Sequence, residues 1–345
     1  MEVNKFYKGD SLKVLKTFPD ESVDMVITSP PYWALRDYGV SGQLGIEPTY
    51  QEYIKKLCDI FDEVKRVLTK NGTCWVNIGD TYNSNQLAGN KKYGNESFNK
   101  NRPSRERTIT PSKKKQNLPN KCLLMIPSRF AVEMCNRGWI LRNEIVWHKP
   151  NCMPESVTDR FTTDFEKMYF FTKNQKYYFD QDTVSEPITD SSAIRLLQNV
   201  SEQKGSERAN GGRKSNGTMK AVCRKSFNKS MGGGGTTFHN HSGYKKENGT
   251  FNIRPKRNKR SVWSIPTKPF REAHFAVYPE ALIETPIQAG SPESGIVLDP
   301  FMGSGTTAIV SKKLNRNYVG IELNPEYIKI AESRVKNIQP YLLAA

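Results

Sequence analysis

Residues Gly295–Ala308 read GIVLDPFMGSGTTA. The apolar run Ile296–Leu298 predicts a buried strand, and Gly303, Gly305 and Ala308 follow it in the order G-x-G-x-x-A before a helix. A second strand, Tyr318–Ile321, then delivers Glu322, 23 residues beyond Asp299. That offset is close to the roughly 20 residues at which an acid meets a ribose in dinucleotide folds. Glycines let the backbone approach a ligand closely, and a carboxylate can accept hydrogen bonds from two vicinal hydroxyls. Tight turns between strand and helix also use glycine for conformational reasons alone. The strand before, the helix after and the offset of Glu322 together favour a nucleoside-containing cofactor. A pyrophosphate would suit the helix N-terminus, but Asp299 at the strand end suits a cationic amino group better. This favours S-adenosyl-L-methionine over a nicotinamide dinucleotide.

Outward from this stretch the same alternation recurs. SVDMVIT (Ser22–Thr28) is a buried-strand pattern. Tyr50–Leu68 has helical spacing at Ile54, Leu57, Phe61, Val64 and Leu68, and Thr73–Ile78 returns to strand. A helix is predicted near Ser128–Arg137, a strand over Ile140–Trp147 and another from Lys167 in KMYFFTK. The last unit has helices near Pro279–Ala289, after Gly305 and from Pro325. Strands alternating with helices predict an α/β fold, a Rossmann-like doubly wound, mostly parallel sheet covered on both faces. No internal repeat is visible.

The second chemical signal is VITSPPYW, in which a strand runs directly into Ser29-Pro30-Pro31-Tyr32-Trp33. Prolines lack N–H groups and fix the backbone, so they rigidly present the carbonyls of Ser29 and Pro30 as acceptors without competing donors. Ser29 adds a hydroxyl and Tyr32 a flat face. The combination matches an exocyclic amino group on a planar base, the amine donating while the ring stacks. An ordinary loop could follow a strand in the same way. Its position at the carboxyl end of a strand, where such sheets bind ligands, favours the site.

Charge is distributed unevenly. The chain has 345 residues and a formal net charge of +17. Asn83–Lys121 holds 10 basic and 2 acidic residues, net +8, and Thr189–Val262 holds 16 and 4, net +12, leaving −3 elsewhere. A nearly neutral body thus carries two cationic, Gly-, Asn-, Ser- and Lys-rich insertions, read as loop-rich chain. Phe98, Phe227, Phe238, Tyr244 and Phe251 interleave with the cations. That mixture suits phosphate contact and base stacking, against the plainer reading of solvated linkers. Apolar residues make up 36% of the chain, enough for a large core rather than disorder. No stretch has the roughly 18 apolar residues of a membrane span, MEVNKFYKGD lacks a signal-peptide core, and six scattered cysteines form no C-x-x-C pair. A soluble cytoplasmic protein is the expectation.

With both motifs in place, the chain resembles the amino-group DNA methyltransferases, which transfer methyl from S-adenosylmethionine to cytosine N4 or adenine N6. TSPPYW looks like their catalytic motif, DPFMGSGTT their cofactor loop and VGIELNPEY the ribose-contacting strand. The catalytic motif precedes the cofactor loop, the order of the family's beta group, with the target-recognition region between them. The resemblance implies a catalytic half at 1–82, a basic insertion at 83–121 and a continuation of the catalytic domain at 122–188. A target-recognition insertion at 189–262 and a cofactor-binding half at 263–345 complete it. It implies catalytic roles for Ser29, Pro30, Pro31 and Tyr32. It implies cofactor contacts from Asp10, Asp299, Pro300, Phe301, Gly303, Ser304, Gly305, Thr306, Thr307 and Glu322. HFAVYPEALIETPI looks like the helix lining the methionine pocket, and GWILRNEIVWHKPN like the strand and loop bordering the target base.

By this resemblance the partner is duplex DNA, from which the target base is flipped, and a cognate restriction endonuclease is a compatible partner. Adenine-directed members usually carry Asp or Asn where Ser29 stands, so serine favours cytosine N4, with adenine N6 the alternative. A cationic sulfonium needs no metal, and none is expected. An RNA or protein-glutamine methyltransferase normally has the two motifs in the opposite order. An inactive DNA-binding module would not need the chemically suitable residues at both motifs.

Weaker candidates remain. Trp33 and Trp147 could line a base pocket or sit in the core. His148 could contact DNA or cap a loop. Asp80 sits at a strand end but is equally a turn former. His239 and His241, with Cys223 nearby, lack the spacing of a metal site.

Overall fold

The computed structural model describes residues 1–36, 38–83, 116–189, 256–268 and 277–340, and the backbone alone of 244–247 and 250–253. Two bodies emerge, Met1–Thr183 with Arg260–Ala345, and Val184–Lys259. The first begins with β1 (Lys5–Lys8), α1 (Ser11–Leu15), β2 (Val23–Thr28), α2 (Tyr50–Val67), β3 (Leu68–Ile78), α3 (Ile126–Asn136), β4 (Ile140–His148) and β5 (Phe165–Thr172). The second contains β6 (Glu186–Pro187), β7 (Tyr244–Glu247), β8 (Thr250–Ile253) and β9 (Lys256–Arg257), paired as β6 with β9 and β7 with β8. The first then resumes with β10 (Val262–Ser264), α4 (Glu280–Gly290), β11 (Ile296–Asp299), α5 (Thr306–Lys313), β12 (Asn317–Glu322) and α6 (Pro325–Lys336).

The first body is built on one eight-stranded sheet in the order β1-β12-β11-β2-β3-β5-β4-β10. Only the pairs made by β5 are antiparallel. Seven strands therefore end on one edge, and β5 begins there. The sheet is covered on both faces because its central strands alternate between two cores. Val26, Cys74, Val76, Tyr169 and Phe171 pack with α2 and α3 through Leu57, Phe61 and Phe130. Met25, Ile27, Trp75, Met168 and Phe170 pack with α4 and α5 through Ile283, Ile287 and Val310. Register partners Trp75 and Phe170 stack with centroids 4.0 Å apart, a cross-strand contact of the kind that fixes strand pairing.

Local signals explain the boundaries. Thr49 caps α2, accepting from the Glu52 amide at 3.2 Å, and places the helix's apolar stripe on the sheet. The chain passes from α2 into β3 at Leu68, five residues before the strand expected at Thr73. Leu68 is wholly buried and pairs with Val23, and a register shift accommodates the extra residues before Thr73 pairs with Met25. The short strands β1 and β10, with three or four residues each, have no apolar periodicity to reveal them. Among the described residues no helix is long and apolar enough to cross a membrane. Phe98, Phe227 and Phe238, His239 and His241 with Cys223, and most of both basic insertions lie outside the described residues, as do the side chains of Tyr244 and Phe251.

Candidate active site

The carboxyl ends of β1, β12, β11, β2, β3 and β4 and the start of β5 surround a cavity of about 790 Å3. At its centre β11 lies beside β2, with Leu298 opposite Val26. The loop after Asp299 and the turn after Thr28 therefore leave the sheet side by side.

On the β11 side, Gly303 and Gly305 have φ of 53° and 84°, a left-handed backbone that favours glycine. Gly305 also has no room for a side chain, since a Cβ there would lie 2.8 Å from Ala331 of α6. Arg334 of α6 holds the loop by donating to the Ser304 carbonyl at 2.6 Å, and Ser11 donates to the Pro300 carbonyl at 2.6 Å. Glu322, at the end of β12, accepts the Gly303 amide at 2.9 Å and the Asn324 amide at 2.7 Å on different oxygens. Burial holds its carboxyl above the usual range despite those amides.

Asp10, Pro300, Phe301, Gly303, Ser304, Thr306 and Glu322 line the cavity, whereas Asp299, Gly305 and Thr307 are not on its wall. Asp299 is 1% exposed, and its two oxygens face protein donors. Thr28 Oγ1 and the Phe301 amide donate to Oδ1 at 2.6 and 2.9 Å; Thr307 Oγ1 and the Tyr278 hydroxyl donate to Oδ2 at 2.6 and 3.1 Å. The expected amino-group contact thus gives way to a supporting position beneath the loop. Burial raises the Asp299 carboxyl, an effect these hydrogen bonds oppose. Asp10 caps α1, accepting from the Lys13 amide at 3.0 Å.

On the β2 side, Ser29, Pro30, Pro31 and Tyr32 all line the cavity. Tyr53 of α2 donates to the Pro31 carbonyl at 2.8 Å, which fixes the turn from below. The Tyr32 ring lies against Gly79, where a Cβ would come within 2.5 Å of Cε2. Its hydroxyl accepts from Ser29 Oγ at 3.2 Å and reaches Glu166 Oε2 at 2.7 Å and Asn77 Oδ1 at 3.1 Å. Glu166 is in turn ion-paired with Lys149, whose ammonium lies 4.6 Å from the Trp147 ring centroid. Burial, then the Glu166 charge, pushes the Tyr32 hydroxyl well above its ordinary value, so it stays protonated.

Sequence reasoning missed Asn77, Lys149 and Glu166, because charged and polar residues at strand ends are ordinary and these come from three separate strands. Tyr278 follows the same logic and belongs to the segment compared with the methionine-pocket helix. Trp147 is both core and cavity wall, 4% exposed, with its indole N–H donating to the Ile265 carbonyl at 2.8 Å. Trp33 is buried and donates to the Glu47 carbonyl at 2.9 Å, so it is core. His148 meets Ser264 at 3.1 Å and Asp164 at 3.6 Å, outside the cavity. Asp80 accepts the Thr81 and Ile126 amides at 2.9 and 3.1 Å, a turn-forming role at the start of α3. Among the described residues no group of three or more His, Cys, Asp or Glu is arranged to hold a metal ion.

The sequence profile of the N6/N4-type DNA methylase family matches residues 23–333, nearly the whole chain. The chain belongs to this family. It is 38% identical to the type II methyltransferase M.Cfr9I of Citrobacter freundii, over 96% of this chain and 87% of that one. It is 36% identical to the type II methyltransferase M.SmaI of Serratia marcescens, over 96% of this chain and 90% of that one. Solved structures share the Rossmann-like fold. The PvuII DNA methyltransferase, described as cytosine-N4-specific, superposes with a TM-score of 0.55 at 17% identity, covering 98% of this chain and 92% of that one. The Thermus thermophilus protein TTHA0409, complexed with S-adenosyl-L-methionine, gives 0.53 at 21%, covering 98% and 96%. The protein is a type II DNA methyltransferase of the N4/N6 amino group.

Proposed function

We propose that this methyltransferase transfers the methyl of S-adenosyl-L-methionine to the exocyclic N4 of cytosine in duplex DNA. One observation carries the reading: the Ser29–Tyr32 turn and the Phe301–Ser304 loop share a single cavity between adjacent strands. The donor set suits the cofactor. Each Glu322 oxygen holds one backbone amide and retains acceptor capacity for a ribose hydroxyl, while the Gly303 backbone allows close approach. Asp10 and Glu322, together with Phe301, would hold the nucleoside, with Val277 and Tyr278 beside the methionine portion. When bound, S-adenosyl-L-methionine supplies an electrophilic methyl on a cationic sulfonium, which becomes a neutral thioether as the new N–C bond forms.

The chain's own residues orient the other reactant. The Pro30 carbonyl and Ser29 Oγ accept the two N–H groups of the amine, which aims its lone pair at the methyl. The Tyr32 ring, steadied through its hydroxyl, stacks on the base. Orientation of this kind accounts for much of the acceleration of an in-line displacement. A base inside a duplex cannot reach such a cavity, so it is flipped out. The basic stretch 189–262 supplies the phosphate attraction and reads the sequence, and a cognate restriction endonuclease recognises the same site. Serine at position 29, rather than Asp or Asn, favours cytosine. The assay is transfer of labelled methyl to duplex DNA, RNA and protein in parallel; label in duplex DNA alone is expected, and label in RNA or protein would overturn the reading.

A further inference from the structure

The hydrogen bonds around Tyr32 have a direction. Ser29 Oγ donates to the Tyr32 oxygen at 3.2 Å, and Tyr32 donates to Glu166 Oε2 at 2.7 Å. A hydroxyl has one proton, so with Ser29 committed to Tyr32 its own lone pairs face the cavity as acceptors. Asn77 Oδ1, 3.1 Å from the same phenol oxygen, is a neutral amide that can hold the hydroxyl but is a far weaker base than a carboxylate. Lys149 engages the other Glu166 oxygen, Oε1, and so leaves Oε2 to Tyr32. Both partners of that ion pair are largely covered, at 19% and 17% exposure, which makes its charge balance matter.

We propose that Ser29, Tyr32 and Glu166 form a proton relay that removes the proton released by the methylated amine, with Glu166 as terminal acceptor. The inference rests on Ser29 holding the target amine. As the new N–C bond forms, the nitrogen becomes cationic and gives up its extra proton in the same step, so the relay acts on the rate of transfer itself. That N–H bond breaks as Ser29 Oγ takes the proton; the Ser29 proton passes to the Tyr32 oxygen, and the Tyr32 proton to Glu166 Oε2. The amine ends neutral, both hydroxyls are restored and Glu166 becomes a carboxylic acid, which returns its proton to solvent at its exposed edge. Tyr32 thereby has two separable duties, a ring that stacks and a hydroxyl that conducts.

The groups facing Glu166 are Lys149 from the end of β4, Tyr32 from the turn after β2 and Asn77 from β3. Tyr53 of α2 acts on Tyr32 electrostatically, but its hydroxyl is committed to the Pro31 carbonyl. Single-turnover methylation of duplex DNA by the full chain, in light and heavy water, tests the relay with Tyr32→Phe, Glu166→Gln and the double variant. Tyr32→Phe keeps the ring against Gly79 and removes the hydroxyl, and the solvent isotope effect separates lost conduction from a loosened ring. Each single variant should lose on the order of a hundredfold in rate and lose the solvent isotope effect that protons in flight give the wild type. The double variant should be no slower than either. If Glu166→Gln folds poorly, Lys149→Met is informative: stripping Glu166 of its charge partner should also slow transfer.

Wild-type rates in Tyr32→Phe, a solvent isotope effect that survives in both single variants, or multiplicative losses in the double variant would overturn the relay. Nucleoside analysis of the same products separates it from the reading it rests on. N4-methyldeoxycytidine made at unchanged rate by the variants overturns the relay alone. N6-methyldeoxyadenosine made with the relay's isotope-effect and non-additivity signature overturns the cytosine assignment and supports the relay, which serves either amine.

Discussion

Thr28 and Asp299 are 271 positions apart in sequence, and their side chains meet at 2.6 Å, Thr28 Oγ1 donating to Asp299 Oδ1. Thr28 ends the strand that carries the Ser29–Tyr32 turn, and Asp299 ends the strand that carries the glycine loop. Both are buried. The bond ties the Ser29–Tyr32 turn to the glycine loop and sets their separation, on which an in-line transfer at the proposed site depends.

Thr28→Val keeps the shape of the side chain and deletes this bond. Asp299 Oδ1 is left with the Phe301 amide alone. The variant should be about 1.5–3 kcal/mol less stable, the range for a hydrogen bond to a charged group. Urea unfolding reads the loss; an unchanged midpoint would show that the bond contributes nothing.

Glu322 also predicts a pH dependence. Burial raises its carboxyl in the folded protein, so the native state holds that proton to higher pH than the unfolded chain does. Its contribution to stability is therefore present below the ordinary carboxylate range, about pH 4, and declines as pH rises through the raised value. Asp299, raised for the same reason, acts in the same direction. Compared with wild type, Glu322→Gln should flatten the decline in a series of unfolding curves upward from about pH 4. Parallel curves would contradict the assignment.

Glu322→Ala should weaken S-adenosyl-L-methionine binding by about 1–3 kcal/mol, by losing acceptors for ribose hydroxyls and an anchor of the Gly303 amide. Calorimetric titration measures it, and wild-type affinity would remove Glu322 from the site.

Gly79→Ala tests the seat of Tyr32. The added methyl would lie 2.5 Å from Cε2 of a ring held through its hydroxyl, so the ring must turn away from the base. Methyl transfer should fall at least tenfold while cofactor binding persists, and Tyr32→Ala should abolish transfer with cofactor binding equally spared. Full transfer by Tyr32→Ala would show that stacking is not needed.

Much of this was legible in the sequence for identifiable reasons. The central strands carry short apolar runs bounded by polar residues, and α2 has a regular stripe at Ile54, Leu57, Phe61 and Val64, so periodicity located them. Turns built from Gly303, Gly305, Pro30 and Pro31 are constrained locally and therefore show locally. Residues whose role depends on three-dimensional encounter gave no such signal. Glu166 reads as an ordinary charge at the start of β5, and only the antiparallel insertion of that strand between β3 and β4 brings it to Tyr32 and Lys149. Asp299 was legible as a strand-end carboxylate, but its four protein donors were not, since two of them come from Thr28 and Tyr278 in other elements.

The central claim is the identity of the methylated atom. Unmethylated duplex DNA incubated with the protein and labelled S-adenosyl-L-methionine, digested to nucleosides and resolved by mass spectrometry, answers it directly. Label is expected in N4-methyldeoxycytidine. Label in N6-methyldeoxyadenosine, or in no DNA nucleoside, would contradict it.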